Sequence, residues 1–282
     1  MTAAAGDEGD TSGAAVLQPL AQMPRAVAGV VHTVLADIDD TISSDGRLTA
    51  AAYGALERLH EAGLRVVPVT GRPAGWCDHI ARFWPVDAVV GENGAFYMWH
   101  DRVAGKLRTR HWLDAAARAA STARLAEVRA RILAEVPGCA VASDQFCRLY
   151  DLAIDFREDV PPLPREAVDR IVALMHEAGM TAKVSSIHVN GWFGDWDKLA
   201  MTRRLCAERF GIDLDDAAER TRIVFAGDSP NDEPMFGFFP HAVGVANVLA
   251  FRDRMRALPA WVTAAPAGRG FVELAEHLLA AR

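Results

Sequence analysis

The sequence predicts an α/β protein with a Rossmann-like parallel sheet as its core and a smaller α+β domain inserted into that core. Three observations support this prediction. From residue 30 onward, apolar runs that suit buried strands alternate with helical patterns, which is typical of repeated βα units with right-handed crossovers. Between about residues 106 and 190, this alternation gives way to two helical patterns and several strand-like runs. After residue 191 the βα alternation returns, which indicates that the middle block is an insertion.

The first part of the predicted core contains three strands and two helices. The strands are expected over residues 30–36, 65–70 and 88–90, and the helices over residues 50–62 and 73–83. Thr49 can cap the first of these helices and Gly63 can end it. Pro68 is an awkward residue for a central strand, because proline cannot donate a hydrogen bond to a neighbouring strand.

The remaining elements divide between the insertion and the second part of the core. In the insertion we expect helices over residues 111–136 and 165–178, and strands over residues 140–145, 148–156 and 181–189. In the core we expect a helix over residues 198–210, strands over residues 222–226 and 242–245, and a closing helix over residues 271–281. The predicted domains are a core of residues 28–105 and 191–282 and an inserted domain of residues 106–190.

Composition limits the class of function. The chain has 282 residues, a net charge of -7 and a hydrophobic fraction of 51%, so binding to nucleic acid or to an anionic membrane is not expected. No apolar run approaches the roughly 20 residues of a membrane span. The four cysteines form no C-x-x-C pair, so neither a zinc site nor a disulfide framework is indicated, and we expect a cytoplasmic protein.

Residues 1–27 are rich in Ala, Gly, Asp and Thr and are predicted to form a disordered tail.

Polar side chains follow three separate strands of the predicted core. Asp37 and Asp39 come after the first strand, Thr70 ends the second, and Asp228 and Asp232 follow a later one. Because ligands bind at the carboxyl ends of the strands in open α/β sheets, we expect these side chains to meet at one edge. Neighbouring carboxylates repel each other unless they share a proton or a cation. The excess of carboxylates therefore predicts a divalent cation.

Lys198, at the start of a predicted helix, adds a positive charge to this set. Taken singly, each of these residues has an ordinary explanation. Asp and Thr after strands commonly form turns or cap helices, and a lysine at a helix start is commonly solvated. Together they combine acids for a metal with lysine and hydroxyl donors that suit a phosphate. The combination indicates metal-assisted chemistry on a phosphorylated ligand.

The order of these residues resembles the four motifs of the haloacid dehalogenase (HAD) superfamily of phosphohydrolases. The motifs correspond to D-I-D-D-T at residues 37–41, Thr70 with Gly71, Lys198, and G-D-S-P-N-D at residues 227–232. The resemblance extends from residue 30 to the C-terminus. The insertion lies between the second and third motifs and resembles the type IIB cap of the Cof-like, sucrose-phosphatase and trehalose-phosphatase groups. Residues 91–95 resemble the Asn-Gly loop of those proteins, whereas Asp40 stands where many of them carry glycine.

The resemblance implies a role for each motif residue. Asp37 would be the nucleophile that forms an aspartyl-phosphate, and Asp39 would protonate the leaving oxygen and later activate water. Thr70 and Lys198 would hold the phosphoryl oxygens, with Gly71 in the same loop as Thr70. Thr41 would orient Asp39.

The resemblance also implies a Mg²⁺ site formed by Asp37, Asp39, Asp228 and Asp232. Asp39 would contribute its backbone carbonyl, and Asp232 would act directly or through water. Asn231 would help to position these ligands. Few protein ligands are needed, because Mg²⁺ keeps several waters and shares oxygens with phosphate.

The inserted domain is expected to recognise the leaving group of the substrate. Candidate contacts are Arg72, Asn93, Lys183 and His188, although each has an ordinary structural explanation as well. The leading interpretation is a Mg²⁺-dependent phosphatase for a small phosphorylated metabolite, most simply a sugar phosphate. One alternative is a phosphomutase, because phosphomannomutases resemble this architecture. The other is a non-catalytic sugar-phosphate sensor, against which the intact motif residues argue.

Overall fold

The computed structural model describes residues 17–185 and 187–282. Its strands, in chain order, are β1 (Gln18–Pro19), β2 (Thr33–Ala36), β3 (Arg65–Pro68), β4 (Val89–Gly91), β5 (Phe96–Asp101), β6 (Lys106–His111), β7 (Ala140–Val141), β8 (Asp151–Asp155), β9 (Thr181–Val184), β10 (His188–Trp192), β11 (Ile223–Gly227), β12 (Val243–Gly244) and β13 (Trp261–Val262). Its α-helices are α1 (Arg25–Val30), α2 (Ala50–Glu61), α3 (Ala74–Phe83), α4 (Ala115–Glu135), α5 (Arg165–Glu177), α6 (Lys198–Leu205), α7 (Ala217–Arg220), α8 (Glu233–Phe238) and α9 (Ala267–Leu279). A π-helical turn, Cys206–Phe210, extends α6.

The central sheet is parallel, with the strand order β1-β13-β12-β11-β2-β3. Helices α2 and α9 pack on one face, where Leu56, Leu59 and Phe271 belong to one apolar cluster. Helices α6 and α8 cover the other face, with Met201 and Phe236 in a second cluster. The sheet is therefore buried on both sides, as parallel sheets require. This arrangement confirms the predicted α/β fold class.

Pro68 fits in β3 because its nitrogen faces away from β2. The N–H groups of Arg65 and Val69 donate to carbonyls of His32 and Ala36 on the β2 side. The intervening Val66 N–H donates to the side chain of Asp87 on the opposite side. Pro68 continues this alternation, so its missing N–H removes no bond to β2.

A second, antiparallel sheet contains β4, β5 and β6. The helix predicted from residue 111 was wrong for its first turn, since residues 106–111 form β6 and α4 begins at Ala115. The side chain of Asp114 accepts a hydrogen bond from the Ala117 N–H and sets this start. The alternating exposure along β6 has the period of a strand, which explains the difference.

The inserted residues form a third sheet in the order β7-β8-β10-β9, which is antiparallel throughout. Together with α4 and α5 it surrounds its own apolar cluster, which includes Ile132, Leu174 and Val189. We call this unit, residues 115–192, the insert. The single strand predicted over residues 181–189 was wrong, because β9 and β10 form a hairpin. Ser185 Oγ accepts the N–H of His188, which stabilises the turn.

Residues 17–32, which precede β2, pack against the core. Strand β1 pairs with β13 at one edge of the central sheet, and Leu20 and Met23 are buried in the first apolar cluster. The prediction of a disordered tail to residue 27 was therefore wrong for residues 17–27, and residues 1–16 lie outside the described residues. The two apolar side chains explain the order, since they remove apolar surface from water.

Within the described part of the chain, every helix is too short or too polar to cross a bilayer.

Candidate active site

The loop after β2 places Asp37 at the carboxyl edge of the central sheet. The Asp37 N–H donates to the Ala226 carbonyl of β11, which continues the strand pairing to this residue. The Ile38 carbonyl then accepts from the N–H groups of Thr41 and Ser43, so the chain turns sharply. Asp40 adopts a φ of 55° in this turn. Aspartate tolerates that conformation better than most residues, so it can replace the glycine of related proteins.

Lys198 joins two carboxylates in the interior of the site. Its Nζ lies 2.7 Å from Asp37 Oδ1 and 2.7 Å from Asp232 Oδ1, and all three side chains are buried. Burial disfavours the charged lysine, but the carboxylates of Asp232 and Asp37 raise the pKa of Lys198 above its usual range. Burial also raises the pKa of Asp37, to about 7, against the attraction of Lys198. The Asp197 side chain caps α6 and fixes Lys198 at its first turn.

The loop after β11 is organised around Asp232. Its Oδ2 accepts the N–H of Asp228 at 3.0 Å and that of Ser229 at 3.4 Å. A Cβ at Gly227 would lie 2.4 Å from this oxygen, so the approach requires glycine. Ser229 Oγ donates to Asn231 Oδ1 at 2.7 Å. Both carboxylate oxygens of Asp232 therefore have partners. Oδ1 pairs with Lys198, and Oδ2 accepts N–H groups of its own loop.

Asp228 presents one carboxylate oxygen that lacks a protein partner. Its Oδ2 accepts from Asn247 Nδ2 at 2.9 Å, whereas its Oδ1 is buried and makes no hydrogen bond to any described residue. Carboxylate oxygens of Asp37, Asp228 and Asp232 lie within 4.8 Å of one another. Burial, followed by the charges of Asp232 and Asp37, raises the pKa of Asp228. An unpartnered buried oxygen among clustered carboxylates fits a hard divalent cation.

The Asp39 carboxylate lies outside this cluster and pairs with Arg72. The Arg72 Nε is 3.0 Å from both Asp39 oxygens, and Nη2 is 2.9 Å from Oδ1. Arg72 also contacts two acids of the insert, Glu158 at 3.2 Å and Asp144 at 3.6 Å. These carboxylates outweigh the effect of burial and raise the pKa of Arg72. The structure thus places the predicted Arg72 between the core and the insert.

The loop after β3 holds the remaining motif residues. Thr70 is buried, and its Oγ1 accepts the N–H of Arg72 at 3.0 Å. Its carbonyl accepts the N–H of Asn93, and the Asn93 amide packs against Gly71. Thr41 Oγ1 is buried without a hydrogen-bond partner in the described chain. Asn93 therefore contacts both Thr70 and Gly71, and these three residues lie next to Arg72.

The hairpin of β9 and β10 in the insert covers the carboxylates of Asp37 and Asp39. Ser185 and Asn190 line a cavity of about 20 Å³ together with Asp37, Asp39, Gly71, Arg72, Ser229 and Asn231. His188 Nε2 lies 2.9 Å from Glu158 Oε2, and this contact, followed by the charge of Arg72, lowers the pKa of Glu158 to about 2. Lys183 is half-buried and pairs with Asn190 across the hairpin. Lys183 and His188 are thus near the site without lining this cavity, as far as residues 17–185 and 187–282 show.

Two polar residues of this region escaped the sequence analysis. Glu92 is buried, and its carboxylate accepts the N–H groups of Ala74, Leu149, Tyr150 and Asp151. Burial and the charge of Asp151 raise the pKa of Glu92 to about 8, against its N–H donors. Asn247 bonds Asp228, as described. Asn247 is a lone polar residue in the apolar run 242–251, and Glu92 stands beside Asn93 in the largely apolar run 88–98. A polar residue in such a run needs a buried partner.

Comparison with known proteins agrees with this site. Residues 34–127 match the family model described as haloacid dehalogenase-like hydrolase. A phosphoglycolate phosphatase from Pyrobaculum neutrophilum is 28% identical over 250 residues, which cover 87% of this chain and 95% of that protein. A phosphoglycolate phosphatase from Pyrobaculum aerophilum is 27% identical over 251 residues, with the same coverage.

Solved structures share the fold over nearly the whole chain. A protein from Thermoplasma acidophilum superposes with a TM-score of 0.67 at 18% identity, covering 88% of this chain and 98% of that one. The sucrose-phosphatase from Synechocystis sp., solved with sucrose and phosphate, gives a TM-score of 0.59 at 16% identity, covering 87% and 97%. The motif residues, the site that the fold brings together and these matches identify a phosphatase that is similar to the haloacid dehalogenase-like hydrolases.

Proposed function

We propose that the protein is a Mg²⁺-dependent phosphatase that hydrolyses a small phosphorylated metabolite through an aspartyl-phosphate on Asp37. The observation that carries this proposal is the position of Asp37. Its carboxylate lies 2.7 Å from the Lys198 ammonium. It also belongs to the carboxylate cluster that contains Asp228, whose Oδ1 has no partner among the described residues. A nucleophilic carboxylate with a fixed cation on one side and a metal site on the other suits attack on a phosphate dianion.

The first step forms a bond between an Asp37 oxygen and phosphorus and breaks the bond from phosphorus to the leaving oxygen. Asp39 gives its proton to that oxygen. In the second step Asp39 removes a proton from water, the water attacks phosphorus, and inorganic phosphate leaves with Asp37 regenerated. Lys198 and Thr70 stabilise the phosphoryl oxygens throughout. The Arg72 ion pair fixes the position of the Asp39 carboxyl group beside the site.

The Mg²⁺ ion would be held by Asp37 and Asp228, with the Asp39 backbone carbonyl implied by the resemblance. When bound, it neutralises negative charge on the phosphoryl group and on the carboxylates. Asp232 supports this site through Lys198 and through the N–H groups of its loop.

The insert would act as a cap that recognises the leaving group. The motivation is its hairpin, since Ser185 and Asn190 roof the carboxylates and leave a cavity of about 20 Å³. A roofed site admits a small molecule and excludes the flanking chain of a phosphoprotein or a nucleic acid. A sugar phosphate is the leading substrate class, because His188, Asn190 and Glu158 supply hydrogen-bonding groups near the roof. Phosphoglycolate is the second candidate, because it is named for the relatives at 27–28% identity.

A substrate panel with Mg²⁺ tests the proposal. We expect kcat/KM to be highest for a hexose phosphate or for phosphoglycolate and far lower for nucleotides and phosphopeptides. His188→Ala and Lys183→Ala should change the ranking more than the affinity for inorganic phosphate. A preference for phosphopeptides would refute the substrate class.

Asp37→Asn tests the mechanism. It preserves volume, removes the nucleophile, and should abolish turnover and the acid-stable labelling of the protein by a phosphorylated substrate. Residual activity within about tenfold of wild type, roughly 1.4 kcal/mol in barrier, would exclude Asp37 as the nucleophile.

A further inference from the structure

Asn247 lies at the junction of three segments that the proposed metal site needs. It follows β12 in a 3₁₀ segment, Ala246–Arg254. Its Nδ2 donates to Asp228 Oδ2 at 2.9 Å and to the Asp40 carbonyl at 3.0 Å. Its Oδ1 accepts the N–H of Ala267 at 2.9 Å. One side chain therefore joins the loop after β2, the loop after β11 and the start of α9.

The orientation of the Asn247 amide is fixed by its partners. The NH₂ group faces two acceptors, and the oxygen faces one donor. A flipped amide would set its oxygen against the Asp228 carboxylate and the Asp40 carbonyl, and both hydrogen bonds that Asn247 donates would be lost. Among the described residues, no donor other than Asn247 forms a hydrogen bond with Asp228 Oδ2.

From this geometry we infer that Asn247 is a positioning residue for the metal ligand Asp228. By holding Oδ2, it turns the unpartnered Oδ1 toward the cluster formed with Asp37 and Asp232. By binding the Asp40 carbonyl, it also fixes the turn that carries the Asp39 backbone. The charge repulsion between Asp228 and its neighbouring carboxylates favours rotation of Asp228 away from the cluster, and the Asn247 bond opposes that rotation. The inference rests on the proposed Mg²⁺ site.

A structural role at the helix start is the competing explanation. Ala267 has a φ of 52°, a conformation that favours glycine, and Asn247 bonds its N–H. Ser44 provides a matched control, because its Oγ accepts the N–H of Gly268 at 3.1 Å in the same turn of α9. Ser44→Ala removes a hydrogen bond from this helix start and leaves Asp228 untouched.

The experiment measures Mg²⁺ binding to the full chain by calorimetry without substrate. Asn247→Ala should raise the Kd for Mg²⁺ by about 10- to 100-fold, as expected for the loss of a partner that orients a metal ligand. Ser44→Ala should change that Kd by less than twofold. A Kd in Asn247→Ala within twofold of wild type would overturn the inference. Failure of wild type to bind Mg²⁺ would instead overturn the proposed metal site.

Asn247→Asp separates the two roles if Asn247→Ala does not fold. The new carboxylate still accepts the Ala267 N–H but donates nothing to Asp228. The Asn247→Asp variant should still fold, because the helix start keeps this hydrogen bond. Its kcat at saturating Mg²⁺ should fall at least tenfold, because Asp228 is repelled from its position. A normal kcat would contradict the positioning role, since it would show that the donor is dispensable.

Discussion

Lys198 is the residue whose surroundings most constrain the chemistry of the site. It is fully buried and lies 2.7 Å from two buried carboxylates. A buried carboxylate without a countercharge is costly, so the lysine both stabilises the fold and lowers the pKa of Asp37 against the effect of burial. Function and stability therefore depend on the same ammonium group.

Lys198→Met should lower the free energy of unfolding by about 3–5 kcal/mol, because it leaves Asp37 and Asp232 uncompensated. Urea denaturation with a chelator present measures this change. Lys106→Met is the matched control, since Lys106 is exposed on β6 and a surface change alters stability by only about 0.5 kcal/mol. A loss below about 1 kcal/mol in Lys198→Met would show that water or rearrangement satisfies the two carboxylates.

The same variant has a defined pH dependence. The pKa of Asp37 is raised to about 7 by burial even beside Lys198, and removal of the ammonium raises it further. A carboxyl group with a raised pKa contributes stability at low pH that is lost as the pH rises through that value. The deficit of Lys198→Met should therefore be larger at pH 8 than at pH 5, and equal deficits at both would contradict this origin.

At the residue scale, the sequence predicted which acids share the site but not which partners they take. Asp37, Asp228 and Asp232 follow strands, so their meeting depends only on the parallel sheet. The pairing of Asp39 with Arg72 rather than with the cluster depends on how the insert lies over the core. Glu92 and Asn247 likewise take partners far along the chain, which local sequence does not specify.

At the scale of elements, the Asn-Gly loop after β4 sets the start of α6. Gly94 has a φ of 106°, and a Cβ there would lie 2.0 Å from the Asp197 carbonyl oxygen. Asp197 caps α6 and precedes Lys198. The close approach of these two backbone segments thus determines where Lys198 begins its helix.

Gly94→Ala should destabilise the protein by at least about 2 kcal/mol, because backbone strain of about 1–3 kcal/mol adds to a clash with Asp197. It should also lower kcat by displacing Lys198. Gly54→Ala is the control, since Gly54 lies inside α2 with open space around it and should gain about 0.5–1 kcal/mol. Thermal unfolding and steady-state kinetics measure both, and a fully active Gly94→Ala would rule out the link to Lys198.

Elements with strong periodicity were predictable, whereas elements defined by pairing were not. Helices α2 and α5 have clear apolar faces and nearly match their predicted bounds. Strands β1 and β13 contain two residues each, so their existence depends on the partner strand and not on local sequence. The hairpin of β9 and β10 was missed because residues 181–189 mix apolar and polar residues and contain no Gly or Pro that would mark the turn.

At the scale of the whole molecule, Glu92 joins the core to the insert. Its two oxygens accept one N–H from the start of α3 and three from the segment that leads into β8. Glu92→Gln puts an NH₂ group against some of these donors, at a cost of about 1–3 kcal/mol for each unsatisfied buried group. We expect a loss of about 2–4 kcal/mol in stability and faster amide exchange at Leu149 and Tyr150.

Glu273→Gln is the control for that measurement. Glu273 also accepts backbone N–H groups, from Ala264 and Ala265, but it is only half-buried and both partners belong to the core domain. The loss of stability in Glu273→Gln should be smaller than in Glu92→Gln, and amide exchange at Leu149 and Tyr150 should be unchanged. Equal exchange rates at these two amides in wild type and Glu92→Gln would mean that other contacts between the core and the insert stabilise this segment. One such contact is the hydrogen bond from Arg148 to the Gly71 carbonyl.

Metal binding should also be visible in the stability of the whole chain. Mg²⁺ that binds only the folded protein stabilises it by about 2.7 kcal/mol at a concentration of 100 times its Kd. We expect Tm to rise with Mg²⁺, activity to vanish on chelation, and both effects to disappear in Asp228→Ala. Activity that survives exhaustive chelation would argue against a metal-dependent mechanism.

The small cavity beneath the β9–β10 hairpin has a consequence for rates. Its volume of about 20 Å³ is close to what a single water molecule occupies, roughly 10–15 Å³ on the same measure. A phosphate ester is larger than this cavity, so under the proposed mechanism we expect the hairpin to lift for substrate entry and for release of inorganic phosphate. If that motion limits turnover, added viscogen should slow the enzyme even with a substrate whose chemistry is fast.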